Sequence, residues 1–380
     1  VSLHDDRGRP PSFEEAQNKR AKARAAGLDP NYWYAVMFDR EIGRGQVKRV
    51  TFWGSHVALY RDDHGVLRAV EDRCAHRHVP LSLGEVKGDR IVCQYHGWTF
   101  DGQGKLVDVP HDLFGMKIPQ CKLRAYPVQV RYGLVWIFFG DAESATKVPL
   151  PLIPDLEGPE PWACVPVDFT VKAHHSMVID NVSDFTHEYL HRKYKPFSEA
   201  KLTHLESTED AVFVEYDTKV GGGKVTGAFV DRRAVDTNHM RLGYQYPYQW
   251  SNTDDAIKHW LFNLPIDERT TKSFYLFHFK SFRVPFLPLR FPKRLMVPLL
   301  KAANELHVKP LLEQDKVACE AEQEGWERHW AEPIAEISPA VHAFQNLTVR
   351  KWERHLEREA AKKLAKAPLN LRRREESAAE

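Results

Sequence analysis

Apolar residues along the first part of the chain come in short alternating runs rather than in helical periodicity. "NYWYAVMF" (Asn31 to Phe38) is followed by "VKRVTFWG", "HVALYRD", "LRAVED", "RIVCQY", "WTFD" and "YPVQVRYGLVWIFFG". Runs of this length predict β-strands, and the clusters "DDHG", "KGD" and "DGQG" between them predict tight turns. Many short strands at close spacing, from about residue 45 to 142, predict a small antiparallel sandwich or barrel. "ESATKVPLPLIPDLEGPEPW" carries five prolines and ends that unit as a linker. Beyond it, "CVPVDFTVKA" reads as a strand and "HSMVIDNVSDFTHEYLHRKY" as a helix. "AVFVEYDT", "KVTGAFV", "HMRLGYQY", "KHWLFNLPI" and "SFYLFHF" read as strands, and helices follow at about 301–332 and 338–365. A sheet with helices segregated around it makes the fold class α+β. Ahead of both units, "FEEAQNKRAKARAAG" predicts a charged helix closed by Gly27.

This pattern divides the chain into an N-terminal helix and lead-in (1–44), an all-β domain (45–145), a second domain (146–350) and a charged C-terminal helix and tail (351–380). A length of 380 residues agrees with two cores rather than one. Composition narrows the function classes. Lys+Arg 54 against Asp+Glu 52 leaves a formal charge of +2, which speaks against a general nucleic-acid binder. Five cysteines cannot all pair and are too few for a disulfide scaffold. No apolar run is long enough to span a bilayer, and Val1 to Pro11 is polar, without a signal-peptide core or an initiator Met. The expected compartment is the cytoplasm, and 19 histidines in a reducing setting direct attention to metal chemistry.

Two constellations carry that chemistry. The first is Cys74-x-His76, sixteen residues, then Cys93-x-x-His96. Each half places one thiolate and one imidazole on a tight loop at the end of a predicted strand. Four such ligands could hold zinc, but zinc fingers usually pair Cys with Cys and His with His along the chain. The mixed pairing suits a Rieske 2Fe–2S cluster, in which two cysteines bind one iron and two histidines the other. "CAHRHVPLSLGEV" and "CQYHGWTFDGQG" closely resemble the two cluster loops of Rieske proteins, with His78 standing where that family usually has Gly. Cys121, Cys164 and Cys319 lack such a context and read as packed small side chains.

The second is the pair His187 and His191, four positions apart on the predicted helix and therefore on one face. The same letters spell His187-Glu188-x-x-His191, the zinc-metalloprotease signature with Glu188 as base, for which Glu199 or Glu206 would be the further ligand. That alternative leaves the Cys/His loops unexplained. Asn181, Asp184, His187 and His191 instead follow the motif Asn-x-x-Asp-x-x-His-x-x-x(x)-His of Rieske non-haem iron oxygenases. The spacing of three residues between the histidines resembles carbazole 1,9a-dioxygenase oxygenase components, and the chain as a whole the phthalate-type oxygenases, over about residues 30–350.

The resemblance implies a catalytic domain of the helix-grip type and a mononuclear Fe(II) held by two His and one carboxylate. "LLEQDKVACEAEQEGW" resembles the family's late helix, which makes Asp315 the third ligand and Glu313 its nearest rival. It also implies a head-to-tail homotrimer, with electrons passing from cluster ligand His96 through Asp184 of the neighbour to its iron ligand His187. Asp184, three residues before His187 on the predicted helix, would orient that imidazole, and Asn181 would shape the iron pocket. The implied activity is that of a terminal oxygenase. It uses O2 and electrons relayed from NAD(P)H by a ferredoxin or flavin reductase to monooxygenate a hydrophobic, aromatic or polycyclic substrate. The alternatives are a ring-dihydroxylating dioxygenase, a Rieske electron carrier and the zinc protease. "YQYPYQW", "HWLF" and "FYLFHF" read as aromatic sheet core, whereas the basic, Pro-broken segment 283–300 reads first as ordinary subunit packing, with a lid or peripheral membrane contact as the alternative.

Overall fold

The computed structural model describes residues 8–110, 116–159, 161–192, 194, 196–220, 238–280, 297–298, 300–302 and 304–366. In the first half, strands β1 (Trp33–Phe38), β11 (Leu134–Phe138) and β10 (Val128–Arg131) form one antiparallel sheet in the order β1-β11-β10. Strands β2 (Val47–Phe52), β3 (Ser55–Arg61), β4 (Leu67–Glu71) and β9 (Ala125–Tyr126) form a second. A third contains β5 (Glu85–Lys87), β6 (Arg90–Val92), β7 (Thr99–Phe100) and β8 (Leu106–Asp108). The sequence-predicted strand runs are all present. Every residue of β1 and β11 is buried, as expected of strands covered on both faces.

The second half is a seven-stranded antiparallel sheet, β12-β18-β17-β16-β15-β14-β13. Its strands are β12 (Ala163–Val171), β13 (Phe197–Ser207), β14 (Ala211–Val220), β15 (Asn238–Gln245), β16 (Tyr248–Thr253), β17 (Ile257–Asp267) and β18 (Thr270–Phe279). Directly opposed residues share a face, so the register assigns the two sides. Val214, Leu242, Leu261 and Tyr275 face helices α2 (His175–Ser183), α3 (Lys309–His329) and α4 (Pro339–Lys366). Trp260, Phe262 and Phe274 face the first half, where Phe38 meets Phe274 at 5.6 Å and Trp136 meets Phe262 at 4.8 Å between ring centroids. The large sheet is thus the middle layer between helices and the small sheets. Among the described residues no helix is long and apolar enough to cross a membrane.

Three local readings are corrected. The first helix, α1, covers only Lys19–Ala25, because the Asn18 side chain accepts from the Ala21 amide at 2.8 Å and caps it there. Gly27 does not end it as a left-handed cap: a Cβ at Gly27 would lie 2.6 Å from the Trp352 ring, so this glycine makes room for α4. The helix expected over 175–194 stops at Ser183. The Asp184 carboxylate accepts from the Thr186 amide at 2.9 Å and hydroxyl at 2.7 Å, a local turn that competes with helix continuation.

Strand β13 escaped the sequence reading and β16 was read only as far as Trp250, for opposite reasons. β13 is an edge strand in which only Phe197 is buried, and the weak alternation of half-buried Ala200 and Leu202 is broken by a register shift before Leu205. β16 alternates correctly but buries Gln249, Ser251 and Thr253, polar residues that pattern reading assigns to solvent. The expected strand "KVTGAFV" and most of segment 283–300 lie outside the described residues.

Candidate metal centres

The two Cys/His loops are built alike. The Cys74 amide donates to the Val79 carbonyl at 2.9 Å, and the Cys93 amide to the Trp98 carbonyl at 2.9 Å. The Cys74 carbonyl accepts from the His78 amide, and the Cys93 carbonyl from the Gly97 amide, at 2.9 and 3.0 Å. The residue four after each cysteine must adopt positive φ, which is 57° at His78 and 70° at Gly97. That geometry suits glycine and gives a physical reason for the family preference at position 78. The loops bring Cys74 and Cys93 together in the interior, and burial pushes the Cys74 thiol up to about 11 with the neighbouring Cys93 adding to it. His76 and His96 sit outside them with Nδ1 atoms 3.1 Å apart. Two sulfurs within and two imidazole nitrogens toward solvent fit a cluster whose histidine-bound iron is the outer one. Trp98 stacks on His76 at 4.7 Å, and Tyr95 lies tilted against His96 at 3.8 Å, contacts that restrict both rings.

The second site is assembled from distant parts. His187 and His191 lie not on a helix but on successive tight turns after α2, with the Leu190 amide donating to His187 and the Tyr194 amide to His191. Asp315 comes from α3. Its Oδ1 lies 3.6 Å from His187 Nε2 and 3.2 Å from His191 Nε2, and the three donor groups all lie within 4.8 Å of one another. Bonds of about 2 Å from a first-row metal ion put adjacent ligand atoms about 3 Å apart, so two imidazoles and one carboxylate at these separations fit one such ion. Phe197 packs on both rings, at 5.3 and 5.6 Å. Burial pushes His187 below its ordinary value against the pull of Asp315, whereas at His191 the hydrogen bond and charge of Asp315 outweigh burial and raise it.

Positioning contacts surround the three. Asn181 Nδ2 donates to Asp315 Oδ1 at 3.3 Å. Gln314 Oε1 lies 3.0 Å from His191 Nδ1, a contact the sequence reading did not include although Gln314 is next to Asp315. The Asp184 contribution differs from expectation: among the described residues its carboxylate is hydrogen-bonded to Thr186 and not to His187. Asp184 Oδ1 is engaged by Thr186, while Oδ2 accepts from no described residue. Glu313, the rival ligand, points outward to Lys316. The protease arrangement is not formed: Glu188 accepts from the Glu199 amide at 2.6 Å, and Glu199 pairs with Lys219. Behind the site, buried Arg24 binds Asp180 Oδ2 at 2.7 Å and Glu322 at 2.6 Å, tying α1, α2 and α3 together. Of the other cysteines, Cys319 is buried with its sulfur 3.7 Å from the Met177 carbonyl, and Cys121 and Cys164 are free.

Residues 32–118 match the Rieske [2Fe-2S] domain family, and residues 171–359 match the vanillate O-demethylase oxygenase C-terminal domain family. The chain is 46% identical over 337 residues to the 4beta-methylsterol monooxygenase of Methylococcus capsulatus, covering 88% of this chain and 91% of that protein. It is 33% identical over 192 residues to the terminal oxygenase component of carbazole 1,9a-dioxygenase from Metapseudomonas resinovorans, covering 48% of each. That relative is one component of a multi-component system. Dicamba monooxygenase bound to 3,6-dichlorosalicylic acid superposes with a TM-score of 0.70 at 21% identity, covering 88% of this chain and all of that one, a likeness of fold.

Proposed function

We propose, from the premise that the chain belongs to the Rieske non-haem iron oxygenases, that it is the terminal oxygenase of a system that monooxygenates a methyl group on a 4-methylsterol. The observation carrying the oxygenase reading is the convergence of His187, His191 and Asp315 in a chain that also has the Cys74/His76 and Cys93/His96 loops. The sterol is supported by the full-length likeness to the Methylococcus capsulatus monooxygenase. In such a reaction one atom of O2 enters a C–H bond and the other leaves as water, with the two electrons coming from NAD(P)H and the two protons being the one that NAD(P)H releases and one more from solvent.

In this reading Cys74, His76, Cys93 and His96 hold the cluster, and His187, His191 and Asp315 hold the mononuclear iron. When bound, the iron supplies oxygen activation and the cluster supplies the electrons for it. The chain's own residues do the positioning. Asn181 steadies Asp315, Gln314 fixes the ring of His191, and Phe197 shields both imidazoles from water. His76 is exposed and Asp184 Oδ2 is open, which suits electron passage from His96 of one subunit through Asp184 of the next in a head-to-tail trimer. A ferredoxin or flavin reductase would load the cluster in the cytoplasm. The cluster domain is taken as 45–145, with β1 from the lead-in completing its sheet, and the catalytic domain as 146–350.

The test is NADH oxidation by the iron-loaded protein with a reductase, comparing a 4-methylsterol with the same sterol lacking that methyl. The expected result is oxidation stimulated only by the methylated sterol and matched by a hydroxylated product. NADH consumption without product counts against the reading.

A further inference from the structure

The buried polar side chains of β16 and its neighbours lie on the helix-covered face of the large sheet, the face that Asp315 approaches. Most of them satisfy one another. Gln249 donates to the Ile179 carbonyl and accepts from Asn263, and Ser273 donates to Asn263, at 3.2, 3.4 and 2.7 Å. The pair Ser251 and His259 is different. These residues are directly opposed on β16 and β17, with Ser251 Oγ 2.7 Å from His259 Nδ1. That contact fixes the ring, yet no described residue bonds its other nitrogen, Nε2.

Around this nitrogen the wall is aromatic. The His259 ring is 5.2 Å from Phe277 and 6.1 Å from Tyr275, which stack on each other at 5.8 Å. His259 and Phe277 remain partly accessible although helices cover their face, so a recess opens beside them. The recess belongs to the iron side of the sheet, since Tyr275 and Phe277 pack in one cluster with Leu312 and Cys319 of α3, the helix that carries Asp315. Burial, with neighbouring His278 adding to it, pushes His259 down to about 4, which leaves a neutral imidazole. Among the described residues His278 itself has no hydrogen-bond partner on either nitrogen, but it is opposed to Lys258 in the register and faces the opposite side of the sheet.

We infer that His259, held by Ser251, is the polar anchor of the substrate recess and hydrogen-bonds the alcohol oxygen of an otherwise hydrocarbon substrate. An alcohol can both donate and accept, so either tautomer of the ring engages it. The identification of that alcohol as a sterol's rests on the function proposed above. A sterol bears its hydroxyl on the ring carbon next to C4, so an anchor beside the metal site would set a C4 methyl toward the iron. A recess with aromatic walls and one fixed polar atom selects orientation more than affinity for hydrocarbon as such.

The test is equilibrium dialysis of the iron-loaded protein, without reductant, against two matched pairs. One is a 4-methylsterol and its analogue lacking the hydroxyl; the other is a polycyclic aromatic alcohol and its parent hydrocarbon. His259→Phe is expected to weaken binding of an alcohol about 10-fold or more while leaving its hydrocarbon partner unchanged. His259→Gln, which keeps a donor and an acceptor, should restore part of the loss, and Ser251→Ala should cost a smaller factor. Discrimination through His259 in the aromatic pair, with no binding of the sterol, would sink the sterol and keep the anchor. Equal weakening of both members of a pair, or no preference for either alcohol in the unmodified protein, would overturn the anchor.

Discussion

The two candidate metal centres share imidazole ligands, completed by thiolates at one and by a carboxylate at the other, and they are built on different scales. At the cluster loops each cysteine and histidine are neighbours in sequence, and each loop closes on its own main-chain hydrogen bonds. At the second centre the histidines sit on turns after α2, while Asp315 and Gln314 come from α3, with Gln314 123 residues beyond the histidine it contacts. The first is specified by local spacing. The second depends on the large sheet and its helices holding distant segments together, so its ligands should be lost separately from those of the cluster.

Asp315→Ala makes the sharpest separation. Iron should fall from about three per chain to about two, with acid-labile sulfide unchanged and turnover abolished. Loss of sulfide as well would show that the two centres are not independent. Asp184→Asn should be nearly as damaging to turnover while both metals stay bound, because in the proposed electron route the carboxylate is a bridge rather than a ligand. Unchanged turnover would remove the inter-subunit route. Gln314→Ala takes away the partner of His191 Nδ1 and should weaken binding of the mononuclear iron by about 10–100-fold, readable by competition with a chelator.

The smallest effects compare the two cluster loops. Gly97→Ala meets the ring of Pro110 at 2.7 Å in a positive-φ position, and should destabilise by at least the roughly 1–2 kcal/mol of left-handed strain. His78→Gly should do the reverse. Relief of that strain is partly offset by about 0.5–1 kcal/mol of added chain entropy, leaving a gain of up to about 1 kcal/mol. Thermal unfolding of the iron-loaded variants reads both, with opposite signs expected.

The same contrast explains what could be read from the chain. Cys74, His76, Cys93 and His96 were legible because their partners are close in sequence and the loops repeat one pattern. Strands of the same domain were legible because they bury apolar runs, continuous in β1 and β11, which are covered on both faces. Asp315 was reached by resemblance alone, since nothing local distinguishes one helix carboxylate from Glu313; only their opposite orientations on α3 separate them. The helix carrying His187 and His191 was misread because helical periodicity continues past Ser183, whereas the Asp184 to Thr186 turn ends it. β16 was read only as far as Trp250 because its remainder buries the polar residues Ser251 and Thr253, and that departure marks the His259 recess. A polar residue repeating every second position between "YQYP" and "KHWLF" was the available signal.

The account turns on one oxygen atom. The iron-loaded protein, given a reductase, NADH, a 4-methylsterol and 18O2, should yield a sterol carrying one 18O on the C4 methyl, with the second atom recovered as water. A product with both atoms of O2, or sterol recovered unchanged while NADH is consumed, would contradict it.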